Sequence, residues 1–205
     1  MIVIVDYGAG NLRSVYNKFK QIGCPAEISS DAKVIAKADK ILLPGVGHFK
    51  NGMAKLRDYG LIDILNNKVL KEKIPILGIC LGVQLFTKHS EEGNCGGLGW
   101  VDAETIKFRI PDLDKNRFKV PHIGWNSVSV APESVLFKNI DHNELFYFVH
   151  SYHLKCNDSN VIIGKSNYSY DFVSYIEQGN IFGAQFHPEK SQDAGIQLFE
   201  NFVKL

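Results

Sequence analysis

The stretch "PILGICLGVQLF" (residues 75–86) sets a cysteine, Cys80, where one apolar run stops and another begins, with Gly78 and Gly82 on either side. As packing alone, a cysteine would serve as well inside the run. At its end it stands where an open α/β sheet gathers its ligands, outside the carboxyl ends of the strands. The segment reads as strand, tight turn and helix, an elbow whose glycines permit a strained turn that projects a nucleophile. A helix start behind the sulfur would favour thiolate, and its free N–H groups could bind an oxyanion. Taken alone, the window fits equally a small apolar residue closing a strand.

Outward from this elbow the same alternation continues. "IVIVDY" (2–7) reads as a buried strand, and "NLRSVYNKFKQIG" places Leu12, Val15, Tyr16, Phe19 and Ile22 at helical spacing before Gly23. "AEIS" (26–29) is a short strand, "KILLPGVG" (40–47) a buried run breaking at Pro44 and Gly45, and residues 50–72 a helical segment. "IPILGIC" (74–80) is a strong strand and "GVQLFTKHS" the helix leaving it, so the order is β-α-β-α-β-α, the mark of a parallel sheet.

Between residues 98 and 180 helices nearly vanish. "WVDAETIKF", "NSVSV", "LFYFVHSYHL" and "DFVSYIEQ" follow one another with turn residues between, which predicts an antiparallel or mixed extension. "NIFGAQFHPEKS" (180–191) returns to a strand, and "DAGIQLFENFVKL" predicts a closing helix that buries Ile196, Phe199, Phe202 and Val203. The expected architecture is a single α/β domain over 1–205: a three-layer, open, mostly parallel sheet flanked by helices, with an added antiparallel or mixed strand section.

Charge narrows the function. Twenty-three basic and 22 acidic residues leave a net charge of +1 with no block of one sign, which argues against nucleic acid or an anionic membrane as partner. The apolar run at the N-terminus is too short for a signal sequence, and nothing approaches the roughly 20 apolar residues of a membrane span, so a cytoplasmic location is expected. Cys24, Cys80, Cys95 and Cys156 lack the paired spacing of a zinc or redox motif, so neither metal nor cofactor is implied.

A nucleophile needs a base. Of seven histidines, only His187 both ends a buried strand and carries a carboxylate, Glu189, two residues on, with Pro188 stiffening the turn between them. Cys80, His187 and Glu189 then follow the nucleophile, base and orienter logic of a triad.

"GICLGVQL" followed by "QFHPEKS" resembles the class I (triad-type) glutamine amidotransferase family, whose elbow reads G-x-C-x-G and whose base and orienter come from H-x-E. "VDYGAGNLRSV" (5–15), "LPGVGHF" (43–49), "VPHIGWN" (120–126), "FYFVHSYH" (146–153) and "FHPEKS" (186–191) are similar, in that order, to the glutaminase subunits of imidazole glycerol phosphate synthase. The resemblance implies Cys80 as nucleophile, His187 as base and Glu189 as orienter of a thioester mechanism on L-glutamine. It further implies an oxyanion hole from the N–H of Leu81 and from the "PGVG" strand at Val46, where Gly45 and Gly47 permit a peptide flip on partner binding.

By the same resemblance Gly45, Gly47 and Gln84 contact glutamine, and His150, Ser151 and Tyr152 hold its amino-acid end; taken singly, Gln84 reads as solvent-facing and His150 as a core histidine. Asn11, Pro121, His122, Trp125, Tyr147 and Lys190 are implied at a partner interface and ammonia gate, although Trp125 and Tyr147 fit equally as core aromatics. The implied partner is a (β/α)8 barrel cyclase in a heterodimer.

"DYGAGN" (6–11) could cradle a phosphate, but position 13 is Arg where a third glycine would stand, so it reads as a turn facing a protein partner. Trp100 within "GGLGWVDAETIKF" and Val83 after the second elbow glycine depart from the family pattern. These departures suit an alternative, a paralogous glutaminase feeding a surface-sugar amidotransferase. A nonenzymatic partner-binding domain and a cysteine peptidase or thiol-redox protein are weaker readings, given the intact triad residues and no resolving cysteine near Cys80.

Overall fold

The computed structural model describes residues 1–205, with the side chains at positions 162 and 163 left aside. The first part runs β1 (Ile2–Val5), α1 (Leu12–Gln21), β2 (Ala26–Ser29), α2 (Ala32–Ile35), β3 (Lys40–Gly45), α3 (Phe49–Asp58), α4 (Ile62–Asn66), β4 (Ile76–Cys80) and α5 (Leu81–Leu85). Then come β5 (His89–Ser90), β6 (Cys95–Gly96), β7 (Ala103–Lys107), β8 (His122–Ser127), β9 (Ser129–Val130), β10 (Leu145–His150) and β11 (Tyr152–Cys156). β12 (Ile162–Tyr168), β13 (Tyr170–Gln178), β14 (Ile181–Ala184) and α6 (Gln192–Val203) complete the chain.

The main sheet has the order β2-β1-β3-β4-β14-β13-β11-β7-β5-β6, with β12 joined to β13 and β9. Its block β2-β1-β3-β4-β14 is parallel. β1, β3, β4 and β14 are almost wholly apolar because both their faces are covered, whereas the edge strand β2 exposes Glu27 and Ile28. Ile2, Ile4, Leu42, Leu77 and Ile79 pack with Val15, Phe19, Leu198 and Phe199 of α1 and α6, whereas Val3, Val5, Ile41, Leu43 and Ile76 face the core formed with α2 to α5. Phe19 and Phe199 meet at 4.9 Å between ring centroids. The strand order turns back between β1 and β3, the kind of switch point that opens a crevice at the strand ends.

Several expectations need correction. The helix over 50–72 is divided, because the chain turns at Gly60 (φ +66°) before α4, whose end widens into a π-helical turn over Asn67–Lys71. The helix after Cys80 stops at Leu85: Thr87 Oγ1 returns to the carbonyl of Gln84 at 2.8 Å, and the chain goes on to β5. β3 runs through Pro44 to Gly45 rather than breaking there. Leu198, not Ile196, is fully buried on α6, and Val203 is half-buried. The extension is mixed, as expected, but β8 and β10 form a separate antiparallel ribbon outside the main sheet.

Candidate active site

Cys80 ends β4 with φ +54° and ψ −108°, so the strain of the elbow is carried by the nucleophile's own backbone. The flanking glycines serve close approach instead. A Cβ at Gly78 would lie 2.6 Å from the Phe86 ring, and one at Gly82 only 1.7 Å from the Leu43 carbonyl oxygen. The glycines thus permit the strained turn, as expected, by leaving room around it rather than by conformational freedom of their own. The short α5 also makes its N-terminus a weaker source of positive potential than a full helix.

Both neighbours of β4 bring chemistry to Cys80. On one side Gly45 of β3 is level with it in register, so the "PGVG" segment leaves the sheet beside the sulfur. On the other, Ala184 of β14 is level with Ile79, and the chain continues past the sulfur to His187. The backbone of His187 is fixed from both directions: its N–H donates to the Tyr147 carbonyl at 2.9 Å, and Ser191 Oγ donates to its carbonyl at 2.6 Å. The Pro188–Lys190 turn then folds Glu189 back, so that its Oε1 lies 2.7 Å from His187 Nδ1.

All three side chains are buried, and Cys80 is 7% exposed. Burial alone would lower the pKa of His187, but Cys80 and the Glu189 carboxylate outweigh it and push the imidazole up to about 10. These neighbours favour the protonated imidazole, and an imidazolium is the kind of neighbour that stabilises a thiolate. Its Nε2 makes no hydrogen bond, and the sulfur instead contacts the Val149 carbonyl at 3.9 Å and Gln185 Nε2 at 3.8 Å.

A cleft of about 370 Å³ opens over the sulfur, lined by Val46, Gly47, Cys80, Leu81, Gln84, Glu92, Pro121, Val149, His150, Ser151 and Tyr152. A larger hollow of about 730 Å³ lies between residues 128–146 and the end of α6 and contains no triad residue.

The expected glutamine contacts are brought together, with different roles for some. Gln84 is buried rather than solvent-facing; its Nε2 donates to the Tyr152 carbonyl and to Gln185 Oε1, each at 3.0 Å. His150 is buried with both ring nitrogens engaged, Nδ1 to the Tyr152 carbonyl at 2.8 Å and Nε2 to His122 Nδ1 at 3.1 Å, so its ring is a strut under the cleft. The Ser151 carbonyl accepts from the Phe108 N–H at 3.0 Å. Gly45 lies beneath the cleft rather than on it, facing the Tyr7 hydroxyl.

Among the expected interface residues, Pro121, Trp125, Lys190 and Asn11 are exposed and Tyr147 is half-exposed. Trp125, at 45% exposure, is no core aromatic. Its ring meets that of Tyr147 at 5.8 Å, and Lys190 Nζ lies 5.3 Å over the same Tyr147 ring. Asn11 also caps α1, accepting from the Ser14 N–H. His122 does not belong with them: it is buried among Phe148, Tyr168 and His150, because its place in β8 points inward between outward-facing Pro121 and Ile123.

Three groups escaped the sequence reading. Among the described residues, Glu92 is the one carboxylate lining the cleft, and its Oε2 accepts from the Phe49 N–H at 2.7 Å. Gln185 touches the sulfur, and the Tyr7 hydroxyl lies against Gly45, which is level with Cys80 in the neighbouring strand. A polar residue inside the apolar run "IFGAQF" was a signal for Gln185; nothing local distinguishes Glu92 or Tyr7.

The whole chain matches known proteins. Residues 3–205 fit the model of the family described as "Glutamine amidotransferase class-I". The chain is 49% identical over its full length to "Imidazole glycerol phosphate synthase subunit HisH 2" of Methanococcus maripaludis, covering 99% of that protein. It is 46% identical to "Imidazole glycerol phosphate synthase subunit HisH 1" of Campylobacter jejuni, with both chains fully covered. A solved glutamine amidotransferase shares the fold at a TM-score of 0.76 and 18% identity, covering 100% of this chain and 98% of the other.

Proposed function

The chain belongs to the class I glutamine amidotransferase family, and we propose that it is a glutaminase serving a partner cyclase. It belongs within that family to the HisH-type subunits of imidazole glycerol phosphate synthase, and its place is in histidine biosynthesis. The observation that carries the chemistry is the buried His187–Glu189 pair, 2.7 Å apart, beside a cysteine held in a strained elbow under an open cleft.

Glutamine enters with its side-chain amide over Cys80 and its α-ammonium near the Glu92 carboxylate. The sulfur attacks the amide carbon, and the negative charge that develops on oxygen is received by the N–H groups of Leu81 and Val46. Collapse breaks the C–N bond as His187 delivers its proton to the leaving nitrogen, releasing ammonia and a γ-glutamyl thioester. Water then adds to the thioester with His187 as base, and glutamate leaves with the thiol restored. Glu189 keeps the ring oriented and stabilises its charge throughout.

Ammonia is useful only if it reaches its acceptor unprotonated, so the partner docks over the cleft. The docking face is built from Asn11, Pro121, Trp125, Tyr147 and Lys190, and the partner is a (β/α)8 barrel cyclase forming a heterodimer with this single-domain chain in the cytoplasm. The cyclase joins ammonia to a phosphoribulosyl formimino aminoimidazole carboxamide ribonucleotide, giving imidazole glycerol phosphate and aminoimidazole carboxamide ribonucleotide. The decisive experiment measures glutamate release by the chain alone and with the cyclase plus that ribonucleotide. Strong stimulation is expected. Absence of stimulation, with Cys80 still labelled by a glutamine-analogue alkylator, would overturn the choice of partner and assign the ammonia to another acceptor, such as a sugar amidotransferase.

A further inference from the structure

Among the described residues, three buried polar side-chain atoms have no hydrogen-bond partner: His187 Nε2, Glu189 Oε2 and the Tyr7 hydroxyl. The first two belong to the triad. The third sits in the same site without an assigned task, on a side chain with no solvent exposure. An unpaired buried hydroxyl is costly, and in a folded protein it calls for an explanation.

Its position supplies one. The hydroxyl oxygen lies 2.2 Å from the point where a Cβ on Gly45 would sit, and Leu81 Cβ and the Gly82 nitrogen lie 3.0 and 3.3 Å from that point. It therefore rests against the Cα of the residue whose peptide bond to Val46 carries one proposed oxyanion donor, next to the segment that carries the other. The turn that follows Tyr7 grips the same place: a Cβ on Gly10 would lie 3.2 Å from the Pro44 carbonyl oxygen and 3.4 Å from Gly45 Cα. That turn is itself tied down by the Asp6 carboxylate, which accepts from the Gly8 N–H at 3.0 Å, and by Lys55, which donates to the Gly8 carbonyl.

Resting on the glutaminase reading, we propose that Tyr7 is a positioning residue of the oxyanion hole. Its hydroxyl donates to the Gly45 carbonyl when the Gly45–Val46 peptide turns the Val46 N–H toward Cys80. A peptide reverses its N–H and C=O together, so aiming the one at the substrate oxygen sends the other away from the cleft, toward the buried hydroxyl that lacks an acceptor. The hydroxyl thus favours the turned conformer by the hydrogen bond it gains there. Burial and the nearby Cys80 hold the phenol's pKa well above its ordinary value, so it stays a neutral donor.

The test is Tyr7→Phe in the full chain assayed with its cyclase partner. The expected result is a fall in glutaminase kcat of about tenfold, with KM within about twofold of wild type. The melting temperature is unchanged or higher, because the lost hydroxyl was unpaired, and iodoacetamide alkylates Cys80 at the wild-type rate, since that displacement needs no oxyanion hole. A kcat within about twofold of wild type, a loss carried by KM, or a parallel drop in melting temperature and alkylation would each overturn the proposal. A wild-type chain that releases no glutamate with the cyclase would instead overturn the glutaminase reading, before any variant is compared.

Discussion

Gly82→Ala is the sharpest test of how the elbow is built. The added Cβ would stand 1.7 Å from the Leu43 carbonyl oxygen and 2.9 Å from its carbon. Neither atom yields easily, because Leu43 is level with Gly78 of β4 and follows directly on Leu42, the last β3 residue paired with β1. Ordinary contact begins at 3.4 Å, so relieving the 1.7 Å approach requires the start of α5 to lift by about 1.7 Å. Overpacking of this kind costs about 1–3 kcal/mol, which a domain with about 5–15 kcal/mol in hand survives. Catalysis does not survive it as well: Cys80 and the Leu81 N–H move with the helix start, and a misplacement of about 1 Å already costs roughly a hundredfold. The variant should melt a few degrees early, remain folded by circular dichroism, and lose at least about a hundredfold in partner-stimulated kcat. Gly96→Ala is the control, since its nearest non-neighbouring atom is the Lys88 carbonyl oxygen at 3.7 Å. A Gly82→Ala enzyme within about threefold of wild type would refute the claim that this glycine sets the nucleophile's position.

Other expectations follow from the same site. Cys80→Ala should abolish glutamine-dependent synthesis by the complex yet leave synthesis from added ammonium salt, and equal loss of both would refute the ammonia-donor role. Glu189→Gln should lower kcat by on the order of 10²–10⁴ and move the alkaline limb of activity to lower pH, because the carboxylate is one of the groups that raise the His187 pKa; an unmoved profile would remove Glu189 from the triad. In stability, His187 works in the alkaline direction: its pKa is raised, so its contribution is full below about 6.5 and is lost as pH rises through about 10. His122, His150 and His153 work in the opposite direction. Burial pushes His122 down to about 4 and lowers the other two, so the unfolded chain takes up more protons and stability falls as pH drops below about 6.5. Urea titrations at pH 7 and pH 5 should show His122 alone costing about 1–2 kcal/mol, a difference that His122→Phe removes; a wild-type midpoint insensitive to this pH change would exclude neutral burial.

The parallel half was legible because its inner strands are covered on both faces and therefore read as nearly unbroken apolar runs, while α1 and α6 each present one apolar stripe. Boundaries set by single contacts were not. Nothing in "GVQLFTKHS" announces that Thr87 folds back on Gln84 to stop α5. The grouping of Cys80, His187 and Glu189, proposed above as a triad, was legible because the elbow and the H-x-E pair are local patterns with chemistry written into them. Gln84, His150 and His122 were harder, since what each does depends on partners far along the chain: Gln84 on Gln185, and His150 on His122 across the β8–β10 ribbon. Glu92 and Tyr7 were out of reach for the same reason, as their importance lies in the cleft and the strand end to which the fold delivers them.

The adjacency of β4 and β14 bears on how the protein is made. Their register sets Ile181 against Ile76, and Gln185 reaches the Cys80 sulfur across 105 residues of chain. A nascent chain can assemble β1 to β4 early, but β4 then waits with one edge open until nearly the whole polypeptide has left the ribosome. Such distant pairings form slowly, and an open strand edge invites association with other chains. The late arrival of β14 closes that edge and delivers His187 to Cys80 in a single event. Under the mechanism proposed above, glutamine hydrolysis is thereby withheld from unfinished chains, which carry Cys80 before His187 has been delivered to it.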